Sequence, residues 1–289
     1  MVGFELAWRY RSGRNYKIKD DHILHKTFFR KKTMNGAIIG GTGFYDAGDL
    51  LRTESVETPF GTVDVEIIRH GDSELGFLNR HGKGHSVPPH KVNYKANLKA
   101  LEMLGIRHVL AGTAVGSCNP DFQNGDLILL TDLIDNTRGR SLTYFDGGES
   151  GVKHFDMSDP YCRNLRKRMS ETAKDQPPGF KGEGVYCCSE GPRFETAAEV
   201  RMIRQWGGDV VGMTNVPEAQ LAKELGLCYA AVSVVVNMAT GMEQGAVDLE
   251  YGDGLIKASM QRLRKLLKDS LIAPLDQDHC GCSNALIPL

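Results

Sequence analysis

Arg80-His81-Gly82-Lys83-Gly84-His85-Ser86-Val87-Pro88-Pro89-His90 is the stretch on which the reading of this chain turns. Two cations and three imidazoles fall within eleven residues, and the glycines and prolines keep the backbone out of regular structure. The apolar run Leu75-Gly76-Phe77-Leu78 before it reads as a buried strand. After it, Val92, Ala96, Leu98, Leu101 and Leu104 recur with helical spacing. A strand that ends in a charged, Gly-rich loop ahead of a helix is where α/β proteins commonly hold an anion.

The pattern extends in both directions. Ala37-Ile38-Ile39 is a short apolar strand running into Gly40-Gly41-Thr42-Gly43, and residues 63–68 and 74–80 pair as a hairpin. Residues 91–104 read as a helix stopped by Gly105. Val109-Leu110-Ala111 is a strand that enters a small-residue loop, Gly112-Thr113-Ala114-Val115-Gly116-Ser117. Further strands are expected at 127–130, 184–189, 210–214 and 229–236, and helices at 159–173, 199–206, 217–225 and 252–271. The polar, Gly-rich segment 136–158 reads as a long surface excursion. Alternating strands and helices predict one α/β domain over residues 34–289, with a central mixed sheet flanked by helices. Five strand ends carry small or polar clusters: Gly40–Thr42, Arg80–His81, Thr113–Gly116, Met213–Thr214 and Asn237. In such a sheet they are expected to converge on one ligand site.

Bulk properties exclude several classes. The 289 residues are 41% hydrophobic and 25% charged with a formal net charge of −1, which points to neither a nucleic acid nor a membrane surface as partner. No apolar run approaches the roughly 18 residues that span a bilayer. Residues 1–33 form a basic extension outside the core and lack the apolar centre of a secretory signal. Seven cysteines without such a signal predict a reducing, cytoplasmic setting. Cys118, Cys162, Cys187, Cys188 and Cys228 are expected as small core residues. Cys280-Gly281-Cys282 reads as an exposed unpaired pair, with a strained local disulfide or a bound metal as the alternatives.

Three chemistries compete for the loops. A nicotinamide site would want a third glycine near position 46, where Asp46 stands, and no Tyr-x-x-x-Lys pair occurs. His81 and His85 have the i, i+4 spacing of helical metal ligands, but Gly82, Gly84, Pro88 and Pro89 deny them a helix. No metal is therefore expected there. An anion suits the set better: Arg80 offers a planar fork, His81 a further donor, and Thr42 and Thr113 hydroxyls beside backbone N–H groups. Phosphate is the anion that uses such a mixture.

Taken together, Ile39–Gly43, Arg80-His81-Gly82, Pro88–Asn97, Thr113–Ser117, Glu190-Gly191-Pro192-Arg193-Phe194-Glu195-Thr196 and Gly212-Met213-Thr214-Asn215-Val216-Pro217-Glu218-Ala219 resemble the methylthioadenosine phosphorylase and purine nucleoside phosphorylase family. The resemblance runs in order from about residue 36 to the end. It implies that orthophosphate attacks the anomeric carbon of a purine nucleoside, releasing the base and a ribose 1-phosphate. It also implies a homotrimer, or a dimer of trimers, with orthophosphate as co-substrate and no cofactor. By this resemblance Thr42, Arg80, His81, Thr113, the Ala114 amide and Thr214 hold phosphate, Met213 lies against the ribose and Phe194 covers the base or sugar. His81, Glu195 and Asn237 are the catalytic candidates.

Adenine-type members resemble one another in a Ser or Thr after the Phe and in two aspartates after the late strand. Here those positions are Glu195, Asn237 and Ala239. A carboxylate accepts from N1–H of hypoxanthine or guanine, and an amide donates to O6, so the expected substrates are 6-oxopurine nucleosides. The His that commonly holds a 5′-hydroxyl is missing between Met238 and Asp278, while Val247, Leu249, Leu255 and Ile256 are apolar. That favours S-methyl-5′-thioinosine, giving hypoxanthine and 5-methylthioribose 1-phosphate, as in purine salvage. His85 of a neighbouring subunit could instead reach the 5′ end. A general inosine and guanosine phosphorylase, a methylthioadenosine phosphorylase and a silent nucleoside-binding homologue are the alternatives.

Overall fold

The computed structural model describes residues 34, 36–41, 43–44, 48–82, 84, 86–243, 254–272 and 280–287. Its strands are β1 (Ala37–Gly40), β2 (Asp49–Thr58), β3 (Gly61–His70), β4 (Ser73–Asn79), β5 (His108–Ser117), β6 (Leu127–Asn136), β7 (His154–Phe155), β8 (Gly182–Ser189), β9 (Val210–Gly212), β10 (Cys228–Met238) and β11 (Leu286–Ile287). Its helices are α1 (Tyr94–Met103), α2 (Arg163–Lys174), α3 (Ala197–Gln205), α4 (Asn215–Glu224) and α5 (Gly254–Ser270).

β10 shows why the sequence folds this way. It is almost continuously apolar, and all of it but the last residue is buried. A strand covered on both faces needs no alternation. β10 runs parallel to β5 along one edge and antiparallel to β6 along the other. Beyond β6, the sheet continues through β8 to β9, and β9 returns to pair with the end of β5. These five strands close on themselves. From the other end of β5, β1, β4, β3 and β2 extend as an open wing.

β5 is the fork. Val109 to Ala111 pairs with β1, and Gly116 and Ser117 pair with β9, on the edge opposite β10. Between these two pairings no described strand covers that edge at residues 112–115. The chain therefore presents main-chain groups to a gap where the sheet splits, which is the switch-point geometry that favours ligand binding.

Helices cover the faces. α5 packs on α2, β10 and β5, and α1 packs on α4 and the β2–β3 hairpin. Ile256, Met260, Leu263, Leu266 and Leu267 of α5 are buried against this core. Each such side chain contributes roughly 1.5–3 kcal/mol relative to exposure. None of the described helices is long and apolar enough to cross a membrane.

Several expectations need correction. Residues 112–117 are strand rather than loop, because small side chains let β5 continue tightly between its neighbours. β2 escaped the sequence reading: it is a mostly exposed edge strand whose residues carry little apolar signal. The helix expected from 159 starts at Arg163, and the helix expected from 91 starts at Tyr94, after a single 3-10 turn at Pro89–Lys91. The excursion 136–158 is not wholly superficial either, since Arg140 has a side chain only 3% exposed.

Candidate active site

The gap at β5 opens into a cavity of about 880 Å³, its mouth included. It is lined by Gly41, Arg80, His81, Thr113–Gly116, Phe194, Glu195, Met213, Thr214, Asn237 and Ala239, with Pro89, Pro192, Val211, Gly212, Val236 and Thr240 completing the wall. Clusters expected from separate strand ends thus stand together. Thr42 and His85, and Val247 and Leu249 from the apolar 5′ segment, lie outside the described residues.

Arg80 follows β4 and is 2% exposed. Its Nε and Nη2 each donate to the Glu218 carboxylate at 2.7 Å, and Nη1 donates to the Gly112 carbonyl at 3.1 Å. Burial alone would lower this guanidinium; the Glu218 charge reverses that and holds Arg80 above its ordinary value. Tyr229 Oη donates to the same Glu218 oxygen at 2.7 Å and also lies 2.8 Å from Asn215 Oδ1. One hydroxyl proton cannot serve two acceptors, and Asn215 Nδ2 is buried without a partner among the described residues. With the Asn215 amide turned over, Nδ2 donates to Tyr229 and the conflict disappears. A β-carbon at Gly41 would fall 2.7 Å from Arg80 Nη1, so only glycine lets the first loop approach this closely.

His81 Nδ1 is 2.8 Å from the Val87 carbonyl. A carbonyl only accepts, so Nδ1 carries the hydrogen, and in the neutral ring Nε2 does not. Thr113 Oγ1 lies 2.8 Å from Ser233 Oγ on β10, and both residues are buried. If Ser233 donates, the Thr113 proton is available to the cavity. At the start of α4, Thr214 occupies the N-cap position without its side chain bonding the helix. Its amide donates to Tyr186 Oη at 3.1 Å, which fixes the turn.

The other end of the cavity holds Glu195 and Asn237. Thr196 and Glu199 form a capping box at the start of α3, a device that stabilises a helix start by about 1 kcal/mol. The Arg193 guanidinium and the Thr196 amide hold the Glu199 carboxyl down to about 2. Arg140 braces the preceding turn, donating to the carbonyls of Ser189 and Glu190 and to that of Val216. Glu195 sits on this frame, 8% exposed, and its Oε1 is buried without a hydrogen bond. Burial pushes its carboxyl up.

Asn237 owes its direction to a bulge. The β10–β5 register slips between Val235 and Asn237, so that Asn237 faces Gly116. Its Nδ2 donates to the Met238 carbonyl at 2.7 Å, which orients the amide. Ala239 is buried beside it and adds no polar group. Met213 lines the wall by the Gly191–Pro192 turn, and Phe194 stands 43% exposed at the mouth.

Glu218, Ser233 and Arg140 were not singled out in the sequence. Glu218 lay within a quoted motif, and its carboxylate beside Pro217 was the available signal. Ser233, as a lone polar residue in an apolar strand, was another. Arg140 carried none.

The arrangement pairs one end rich in hydrogen-bond donors with another offering a buried carboxyl and an oriented amide. Comparison with known proteins gives the family. The sequence profile of the phosphorylase superfamily matches residues 36–272. A probable 6-oxopurine nucleoside phosphorylase of Moorella thermoacetica is 47% identical over 254 residues, covering 87% of this chain and 98% of that one. A probable S-methyl-5′-thioinosine phosphorylase of Methanopyrus kandleri is 41% identical over 250 residues, covering 86% and 96%. The crystal structure of methylthioadenosine phosphorylase from Schistosoma mansoni with adenine superimposes with a TM-score of 0.76 at 32% identity, covering 82% of this chain and 91% of that chain. The forked sheet, the cavity at its split and these matches together make the chain a member of the phosphorylase superfamily.

Proposed function

We propose that this enzyme cleaves 6-oxopurine nucleosides by phosphorolysis, with S-methyl-5′-thioinosine as the preferred substrate. The observation that carries the base assignment is the buried Glu195 carboxyl, whose Oε1 makes no close hydrogen bond although the Ser189 hydroxyl is near, on the same cavity wall as Asn237. A buried acceptor without a donor costs about 1–3 kcal/mol, which the N1–H of a 6-oxopurine would relieve. The Asn237 amide then donates to O6 and lies against N7. Adenine offers a lone pair at N1 and donors at C6, so both contacts would be mismatched.

Orthophosphate would occupy the opposite end. Three of the five Arg80 N–H groups are committed to Glu218 and Gly112, leaving one hydrogen on each terminal nitrogen for the anion. Thr113, the Ala114 amide, Thr214 and His81 converge from the other walls, and Thr42 belongs to the same set. In the reaction a phosphate oxygen bonds to C1′ as the C1′–N9 bond breaks and its electron pair moves into the purine. Asn237 stabilises that developing charge, and the fixed donors hold phosphate in line beneath the sugar. The chemistry requires no cofactor or protein nucleophile. A homotrimer, or a dimer of trimers, in the cytoplasm completes the proposal.

The test is phosphate-dependent base release from inosine, S-methyl-5′-thioinosine and S-methyl-5′-thioadenosine under identical conditions. Cleavage of the adenine nucleoside alone would sink the base assignment. A higher kcat/KM for inosine than for its methylthio analogue favours the second reading, a general 6-oxopurine nucleoside phosphorylase. The name of the Moorella thermoacetica relative supports that reading.

A further inference from the structure

Cys162, Cys228, Cys280 and Cys282 come from three distant parts of the chain, yet all four sulfur atoms lie within 4.8 Å of one another. The tail pair was expected to be exposed and unpaired. Instead Cys282 is buried, Cys280 is partly buried, and both meet two cysteines assigned to the general core. We propose that these four thiolates bind one zinc ion as a closed structural site, remote from the cavity.

Geometry supports this occupant. Zinc–thiolate bonds of about 2.3 Å arranged tetrahedrally place sulfurs roughly 3.8 Å apart. The sulfurs of Cys228 and Cys280 are 3.3 Å apart, and the widest separation is within 4.8 Å, so adjustments of about 1 Å or less complete the tetrahedron. No disulfide joins any of the seven cysteines in the structure. Cys228 Sγ lies 3.3 Å from Cys280 Sγ across 52 positions of sequence, and all four sulfurs share one small volume. Four soft ligands without a carboxylate or imidazole favour zinc over harder cations. Four ligands also leave no open position, as in structural rather than catalytic zinc sites.

The backbone holds each ligand in place. Cys162 is the N-cap residue of α2, where first-turn N–H groups that no helical carbonyl takes favour a thiolate. Its amide donates to the Tyr229 carbonyl at 2.7 Å, which fixes it beside Cys228. Gly281 takes a left-handed conformation with φ of 71°, letting the chain turn between its two flanking cysteines. Beyond them β11 pairs with β7, and Asp156 donates to the Ala285 carbonyl at 2.9 Å. A β-carbon at Gly226 would come within 3.3 Å of the Ser283 backbone, so the tail lies tightly over this corner. Cys228 opens β10 while Asn237 lies near its far end, about 30 Å away at the usual strand rise. Binding replaces four thiol protons with one divalent cation and involves no change of oxidation state.

The full-length protein is purified under reducing conditions, incubated with zinc chloride, freed of loose metal and measured for metal and thiols. The expected result is about one zinc per chain, retained through gel filtration. Cobalt exchange should then give the intense visible bands of a tetrahedral tetrathiolate centre. Chelation of zinc should lower the melting temperature, and Cys282→Ser should reduce retained zinc at least tenfold. Zinc-free protein that takes up none while remaining folded would overturn the proposal. So would three titratable thiols instead of seven in a denatured, chelator-treated chain purified without reductant, which would mean that two disulfides occupy the cluster. If Cys282→Ser fails to fold, the wild-type metal and thiol counts still decide.

Discussion

Asn237→Asp is the sharpest perturbation of the proposed base pocket. The wild-type amide is buried, held by its 2.7 Å donation to Met238, and would give its other hydrogen to O6 of the base. Aspartate removes that donation, about 1.5 kcal/mol, and sets an acceptor against O6, adding a buried mismatch of similar size. The total of about 3 kcal/mol corresponds to a roughly hundredfold loss of kcat/KM on inosine or its methylthio analogue. For a 6-amino purine the same change replaces a donor–donor clash with an acceptor, a gain of about 1.5 kcal/mol, or roughly tenfold. The oxo-to-amino preference should therefore move by about a thousandfold. It should not fully invert, because Glu195 still opposes the adenine N1 lone pair. The assay is kcat/KM for paired inosine and adenosine derivatives at saturating phosphate. The KM for phosphate and the melting temperature serve as controls, since the new carboxylate faces the Met238 carbonyl. A preference that shifts less than a few-fold while both controls hold would refute the pocket.

Three further outcomes follow from the same geometry. Glu218→Gln leaves the buried Arg80 charge uncompensated and should destabilise the protein by about 3–5 kcal/mol, with phosphate restoring much of the loss; equal loss with and without phosphate in thermal unfolding would count against it. Gly41→Ala should raise the KM for phosphate about tenfold or more, with little change in nucleoside KM, because its methyl group would sit 2.7 Å from Arg80 Nη1; unchanged phosphate kinetics would show that the loop yields. Glu195 is pushed above its ordinary value of 4.5 by burial, so its folded-state contribution to stability is full below that value and is lost as pH rises through the raised one. Base recognition has the opposite sign: the carboxylate must be ionised, so nucleoside KM should climb as pH falls through that raised value, and Glu195→Gln should abolish that acid limb.

Much of the architecture was legible because its physics is local. The β10 run, the α5 periodicity and the β3–β4 hairpin each declare themselves within a single stretch of fewer than twenty residues. β2 did not, since a strand with solvent on both sides has no apolar period to read. Residues 112–117 were misread because small residues signal a turn in isolation and a crowded strand in context. The phosphate-end residues could be named from their strand-end positions and the resemblance, but their support could not. Glu218 reaches Arg80 across 138 positions, and Ser233 reaches Thr113 across 120. Glu195 and Asn237 were chosen by residue type; only the folded chain shows the orphaned carboxylate oxygen and the bulge that turns the amide inward. The cysteine cluster was the least legible, because the tail pair alone hinted at a metal and its other two members join it only when the tail folds back.

The Arg80–Glu218 pair also has a calorimetric consequence. Arg80 is the one lysine or arginine among the described cavity-lining residues, and its charge is already cancelled by a carboxylate behind it. With Glu195 ionised at the other end, the described lining has no surplus positive charge to offer a dianion. Among the described residues this balance favours phosphate binding as the monoanion, so that free dianion takes up a proton on binding. At a pH well above the second ionisation of phosphate, where the free anion is the dianion, the heat of binding should then vary with the ionisation enthalpy of the buffer, with a slope that approaches one proton per site and falls away as the pH is lowered.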